Sequence, residues 1–189
     1  MAIKTFTTGE VLTAADTNTY LANSGLVYIT SGSLSTATTQ FQGCFSSTYD
    51  NYVIVLDKLQ TASNLDIYFR FMTGATEDNA AEYYWAYLGL KTDGTTSNSN
   101  AQAQTEGFTG VTMSTSGAVL GSATLTCYAP NLTQRTFITS NAYSYPGQWG
   151  MRFGASHINT SNQHTGIAFK TITAATLTGR ATIFGIRKA

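Results

Sequence analysis

The chain has 189 residues, 42% of them hydrophobic and 12% aromatic, and its ten basic and ten acidic side chains leave a formal net charge of zero. That balance argues against a nucleic-acid groove, which wants a basic excess, and the aromatic content argues against intrinsic disorder. One sizeable core fits this length, and so little charge on a Thr/Ser/Asn-rich surface lets many copies sit side by side without long-range repulsion.

Residues 1–25 differ from all that follow. Met1-Ala-Ile-Lys-Thr-Phe6 lacks the charged start and long apolar core of a signal peptide. No apolar run approaches the ~20 residues of a membrane helix. The expectation is a product made and assembled in a cytoplasm, without membrane insertion. Thr13-Ala-Ala-Asp16 fits a capping box, which predicts a short helix from Ala14 to Ala22, stopped at Asn23-Ser-Gly25. Val11 and Leu12 before it, and Tyr20 and Leu21 within it, supply apolar surface. A helix this short is unstable alone and must dock on its own domain or on another protein.

The segment from Phe6 to Asn18 resembles a leader found at the start of many phage tail-fibre and minor virion proteins. The matching residues are Gly9, Val11, Leu12, Thr13, Ala14, Ala15, Asp16 and Asn18; Thr17 stands where many of those proteins carry an apolar residue. The resemblance implies virion attachment or trimer initiation through Val11, Leu12, Thr13, Asp16, Asn18, Tyr20 and Leu21. On packing grounds alone, a helix folded against its own sandwich is equally acceptable.

From residue 26 to 189 strand patterns recur with turn signals between them, and no linker divides them. Leu26 to Thr30 is a short strand. Phe41 to Phe45, a Ser46/Ser47/Asp50/Asn51 turn, and the unbroken apolar run Tyr52 to Leu56 follow; the run predicts a strand covered on both faces. Cys44-Phe-Ser-Ser-Thr-Tyr-Asp-Asn-Tyr52 with its apolar strand resembles a motif of virion structural proteins of tailed bacteriophages, marine ones especially. Leu65 to Met72 alternates, with Leu65, Ile67, Phe69 and Phe71 on one face. Glu82 to Leu90 is unusually aromatic, and Thr92 to Gln104 is expected to be a long polar loop. Further strands are expected over 106–113, 118–128, 134–145, 149–155, 163–172 and 177–188. Pro130-Asn131 and Pro146-Gly147 punctuate them as turns. The closing Phe184-Gly185-Ile186 resembles the last strand of phage fibre-tip domains.

The fold class expected is therefore all-β: an antiparallel β-sandwich, jelly-roll or TNF-like, of about ten strands with a short N-terminal helix. Cys44 and Cys127, both in expected strands, are too few for a disulfide scaffold and read as buried thiols. His157 and His164 fall in the polar turn 156–165 and suit no metal pair. Glu77, Asp78 and Glu82 could form a hydrolytic carboxylate group, but no neighbouring apolar wall would raise a pKa there. No catalytic, metal or cofactor site is expected.

The residues singled out for contact are Tyr83, Tyr84, Trp85, Tyr87, Tyr143, Tyr145 and Trp149, as a ligand site or a self-interface. Taken with the resemblances, the expectation is a non-enzymatic virion structural protein, an appendage or surface knob. It is expected as a homotrimer docked to another virion protein and contacting host surface glycan, with Thr92 to Gln104 as the candidate host-contact loop. A carbohydrate-binding module, or a decoration protein with no host-binding role, is the alternative.

Overall fold

A computed structural model describes residues 7–11, 13, 25–61, 64–113, 120–143 and 149–187. Its strands are β1 (Leu26–Leu34), β2 (Thr38–Phe41), β3 (Tyr49–Thr61), β4 (Leu65–Thr73), β5 (Thr76–Glu77), β6 (Tyr83–Lys91), β7 (Thr96–Gln104), β8 (Gly107–Met113), β9 (Gly121–Tyr128), β10 (Phe137–Tyr143), β11 (Trp149–Ile158), β12 (Gly166–Thr171) and β13 (Leu177–Arg187). They form two antiparallel sheets. The larger has eight strands in the order β1-β13-β3-β9-β10-β11-β6-β7; the smaller runs β2-β12-β4-β5, with β8 also paired to β4.

Period-two alternation sets the layers. On β3, Tyr52, Ile54 and Leu56 are fully buried between the sheets, and on β4 Ile67, Phe69 and Phe71 meet them from the other side. Aromatic rings fill much of the gap: Phe71 stacks on Tyr83 with centroids 6.2 Å apart, and Phe69 meets Phe71 edge-on at 5.4 Å. The two tyrosine hydroxyls in this layer are satisfied. Tyr83 Oη accepts from the Phe71 N–H at 2.9 Å and donates to the Asp78 carbonyl at 3.1 Å. Tyr52 Oη donates to the Ser46 carbonyl at 2.9 Å and accepts from its N–H at 2.8 Å, latching the turn that leads into β3.

β8 decides the shape of the far end. Asp66 pairs with Thr112 and Tyr68 with Phe108, so Thr109, Gly110 and Val111 bulge out opposite Ile67. The Thr109 hydroxyl donates to the Ile67 carbonyl at 2.6 Å, and Gly110 takes φ +87°, a left-handed conformation that glycine adopts without strain. The bulge pushes β8 against β9, β10, β11 and β6. Gly107 must be small for the same reason: a Cβ there would lie 2.2 Å from the Phe69 ring.

Several sequence expectations change. The polar stretch 92–104 is largely a strand, β7, laddered onto β6 at the sheet edge. An edge strand with one neighbour and a wet outer side needs backbone pairing more than apolar side chains. β3 begins at Tyr49, taking Asp50 and Asn51 out of the turn, and β2 ends at Phe41, leaving Cys44 in a buried turn. Covering of Tyr52–Leu56 on both faces is also corrected, because Val53 and Val55 remain half-buried on the outside. β5 and β7 raise the strand count above ten. The helix expected over 14–22 lies outside the described residues.

Candidate contact surface

The outward side of the larger sheet can be read row by row from its register. Leu90, Met151, Tyr143 and Ser122 stand side by side across β6, β11, β10 and β9. Leu88, Phe153, Asn141, Thr124 and Val55 make the next row, and Ala86, Ala155, Thr139, Thr126, Val53, Phe184 and Tyr28 the third. His157, Phe137, Tyr128, Asn51, Ile186 and Leu26 close it. No Lys, Arg, Asp or Glu stands in these rows. Leu88, Leu90, Tyr128, Phe137, Tyr143, Met151 and Phe153 are each between 40% and 52% exposed. Scattered exposed hydrophobics are ordinary; neighbouring ones across several strands make this face the candidate contact surface.

The inward side of β10 and β11 sets polar residues among the core residues Ile138, Ala142 and Ile158. Ser140, Arg152 and Ser156 are buried while Phe137, Met151 and Phe153 face out. Two of these groups have partners across to β8: Arg152 Nη1 donates to Thr112 Oγ1 at 2.6 Å, and the Ser156 hydroxyl donates to the Phe108 carbonyl at 3.1 Å. Thr112 Oγ1 in turn donates to Asp66. The Arg152 guanidinium lies 5.1 Å from the Tyr87 ring centroid, a cation–π contact in a desolvated setting. Burial lowers the Arg152 pKa, opposed by Tyr87 and Asp66. Gly154 lets these strands close up, since a Cβ there would meet Tyr87 Cβ at 2.7 Å.

Against this geometry the aromatic residues named from sequence divide. Tyr83 is wholly buried core, and burial pushes its phenol pKa up. Trp85 and Tyr87 also face inward, stacked on each other at 5.5 Å and packed on Phe108. Tyr84 and Tyr143 do face out, Tyr84 stacked on His157 at 5.2 Å. Trp149 begins β11 opposite Lys91, and Tyr145 lies outside the described residues. In the N-terminal segment Val11 is 78% exposed and Thr13 is exposed; Leu12, Asp16, Asn18, Tyr20 and Leu21 lie outside the described residues.

Leu88, Leu90, Phe137, Met151 and Phe153 were not singled out from sequence. The signal was the alternation of 137–143 and 149–157, whose apolar phase would ordinarily be assigned to the core. A shallow groove of about 570 Å³ adjoins them between β6 and β7, lined in part by Leu88, Asn98, Asn100 and Phe153.

Glu77 and Asp78 hydrogen-bond within the chain. Glu77 accepts from Gln40 Nε2 at 2.9 Å and pairs with Arg70 at 3.4 Å and Lys170 at 3.8 Å; Asp78 caps the Ala80 N–H at 3.1 Å. Neither histidine is in a surface loop: His157 is on β11, and His164 is fully buried, its ring 4.7 Å from that of Phe71. Cys44 and Cys127 are free buried thiols; burial pushes Cys44 up to about 12. Among the described residues no group of three or more His, Cys, Asp or Glu could hold a metal, and no helix is long and apolar enough to cross a membrane. The chain matches no protein-family profile and no curated protein.

Proposed function

We propose that this chain is a non-enzymatic structural component of a tailed-phage virion, a surface knob tethered by residues 1–25 and presented as a homotrimer. The observation that carries the reading is the outer face of the larger sheet across β6, β11, β10 and β9, whose rows hold no charged residue, a surface suited to contact with protein. The leader and strand motifs that resemble phage virion proteins point the same way, as does Val11, an apolar side chain standing exposed in the leader.

The finer fold reading is a jelly roll. Support comes from strand order: β1-β13-β3-β9 in one sheet and β2-β12-β4-β8 in the other follow the jelly-roll order, with the hairpins β6–β7 and β10–β11 added to one side. The jelly roll serves both viral capsids and lectins, so fold alone does not choose between them. A carbohydrate-binding module is the second reading, favoured by the groove over Tyr84, Asn100, Gln102 and His157, where planar amides and aromatic rings suit a sugar.

Mass spectrometry of purified particles, with subassemblies separated, tests the first reading. The chain is expected at fixed stoichiometry in one subassembly, and a folded variant lacking residues 1–25 is expected to be missing from it. Finding the protein only free of particles, or finding turnover of host polysaccharide, would overturn the proposal.

A further inference from the structure

We infer that the outer face built by β6, β10 and β11, centred on Leu88, Leu90, Tyr143, Met151 and Phe153, is where a second copy of this chain docks. The inference deepens the virion reading, on which it rests for its place in a particle, by naming the self-contact surface.

Three observations lead to a second copy rather than a foreign partner. The first is the phase of β10 and β11. The inward phase mixes Ile138, Ala142 and Ile158 with Ser140, Arg152 and Ser156, of which Arg152 and Ser156 hydrogen-bond to β8, while the outward phase keeps Phe137, Met151 and Phe153 about half exposed. Large apolar side chains therefore stand outward on strands that spend buried positions on polar groups.

The second observation is area. Seven large side chains about half exposed, at roughly 150–250 Å² for a whole aromatic residue, leave on the order of 600 Å² of exposed side-chain surface. With the Asn and Thr residues between them, the patch comes close to the ~800 Å² that each partner contributes to a stable interface.

The third is charge. Like charges brought into contact are costly, and a patch that carries none can meet another copy of the chain, in a dimer or a ring, without that cost. The rows across β6, β11, β10 and β9 carry none. By contrast, Arg70, Glu77, Glu106 and Lys170 crowd together on the smaller sheet. A foreign partner would gain specificity from complementary charge on the patch; a self-contact gains from its absence.

Sedimentation of the full chain at about 10 µM, above the dissociation constant of an ordinary stable interface, tests this. The protein is expected at a whole multiple of its 20.2 kDa mass. The double variant L88K/F153K, whose side chains point outward, is expected to sediment as a folded monomer with unchanged circular dichroism. I172K removes a similarly exposed apolar residue from a turn outside the face and is expected to keep the oligomer. A monomeric native protein, or an oligomer indifferent to L88K/F153K, would overturn the inference. Native monomers recovered from purified particles would remove this interface and leave the virion reading standing. An oligomer broken by the double variant but absent from particles would do the opposite.

Discussion

The two outer faces of the sandwich solve the problem of meeting water in opposite ways. On the smaller sheet, Arg70 bridges Glu77 and Glu106 at 3.4 and 2.8 Å and donates to the Thr105 carbonyl at 2.9 Å, while Lys170 and Gln40 close on Glu77 from the other side. Their long arms lie over that sheet, and Ala168, outward on β12 between Gln40 and Arg70, is fully buried. The larger sheet offers Leu, Met, Phe and Tyr with Thr and Asn between them, and none of its outward rows across β9–β11 and β6 carries a charge. Four of the chain's twenty charged residues cluster in the one network around Arg70. The contrast shows that a low overall charge is not spread evenly: one face carries a linked ion-pair network, while the rows across β6, β11, β10 and β9 carry half-exposed apolar side chains and no charge.

Core substitution gives the largest expected effect and sets the scale. Phe69→Ala, inward on β4 and 1% exposed, should cost about 3–5 kcal/mol in denaturant unfolding. A loss below ~1 kcal/mol would mean the two sheets are not packed through this ring.

Next comes acid. His164 is fully buried against Phe71, and neither ring nitrogen makes a hydrogen bond to the described residues. Burial pulls its pKa down to about 4 from 6.5, with Asp78 opposing weakly. The folded state then binds fewer protons than the unfolded state. Stability from this site is fully present above pH 6.5 and declines as pH falls toward 4, by about 3 kcal/mol in all. His164→Leu should flatten unfolding midpoints over that window; an unchanged slope would place the acid sensitivity elsewhere.

The charged face should matter less. Arg70→Met removes two partly buried ion pairs and is expected to cost about 1–2 kcal/mol, less in 1 M salt. A cost independent of salt would make Arg70 a packing residue. The smallest effect on folding is expected on the contact face, where Phe153→Ser, measured in the dissociated monomer, should shift stability by under about 0.5 kcal/mol. An equally small shift in assembly would erase the distinction between the two faces.

Much of the fold is legible in the sequence. The alternation at Leu65–Phe71 placed Ile67, Phe69 and Phe71 in the core, and the turn signals at Gly/Pro/Asn positions separated most strands. The polar run 96–104 was misread as loop because its strand is held by backbone bonds to β6, which leave no trace in side-chain composition. Trp85 and Tyr87 could not be assigned a side, since an aromatic strand looks the same whether its partner is Phe108 within the chain or another molecule. His164 looked like a surface residue because Ser, Asn, Gln and Thr surround it in sequence, while Phe71, its actual neighbour, is far away along the chain.

An all-β chain, its neutrality and the inward phase of β4 were legible from neighbouring residues, because period-two patterning and local turn chemistry are properties of adjacent residues; the unbroken apolar run of β3 carried no phase, and its inward side followed from packing. Which phase of β10 and β11 faces inward is a matter of long-range packing. The inward phase sets Ile138, Ala142 and Ile158 in the core and brings Arg152 and Ser156 within reach of β8, where the bulge presents the Gly110 and Phe108 carbonyls and Thr112 Oγ1. Phe137, Met151 and Phe153 are then left on the outside, on the face free to meet another molecule.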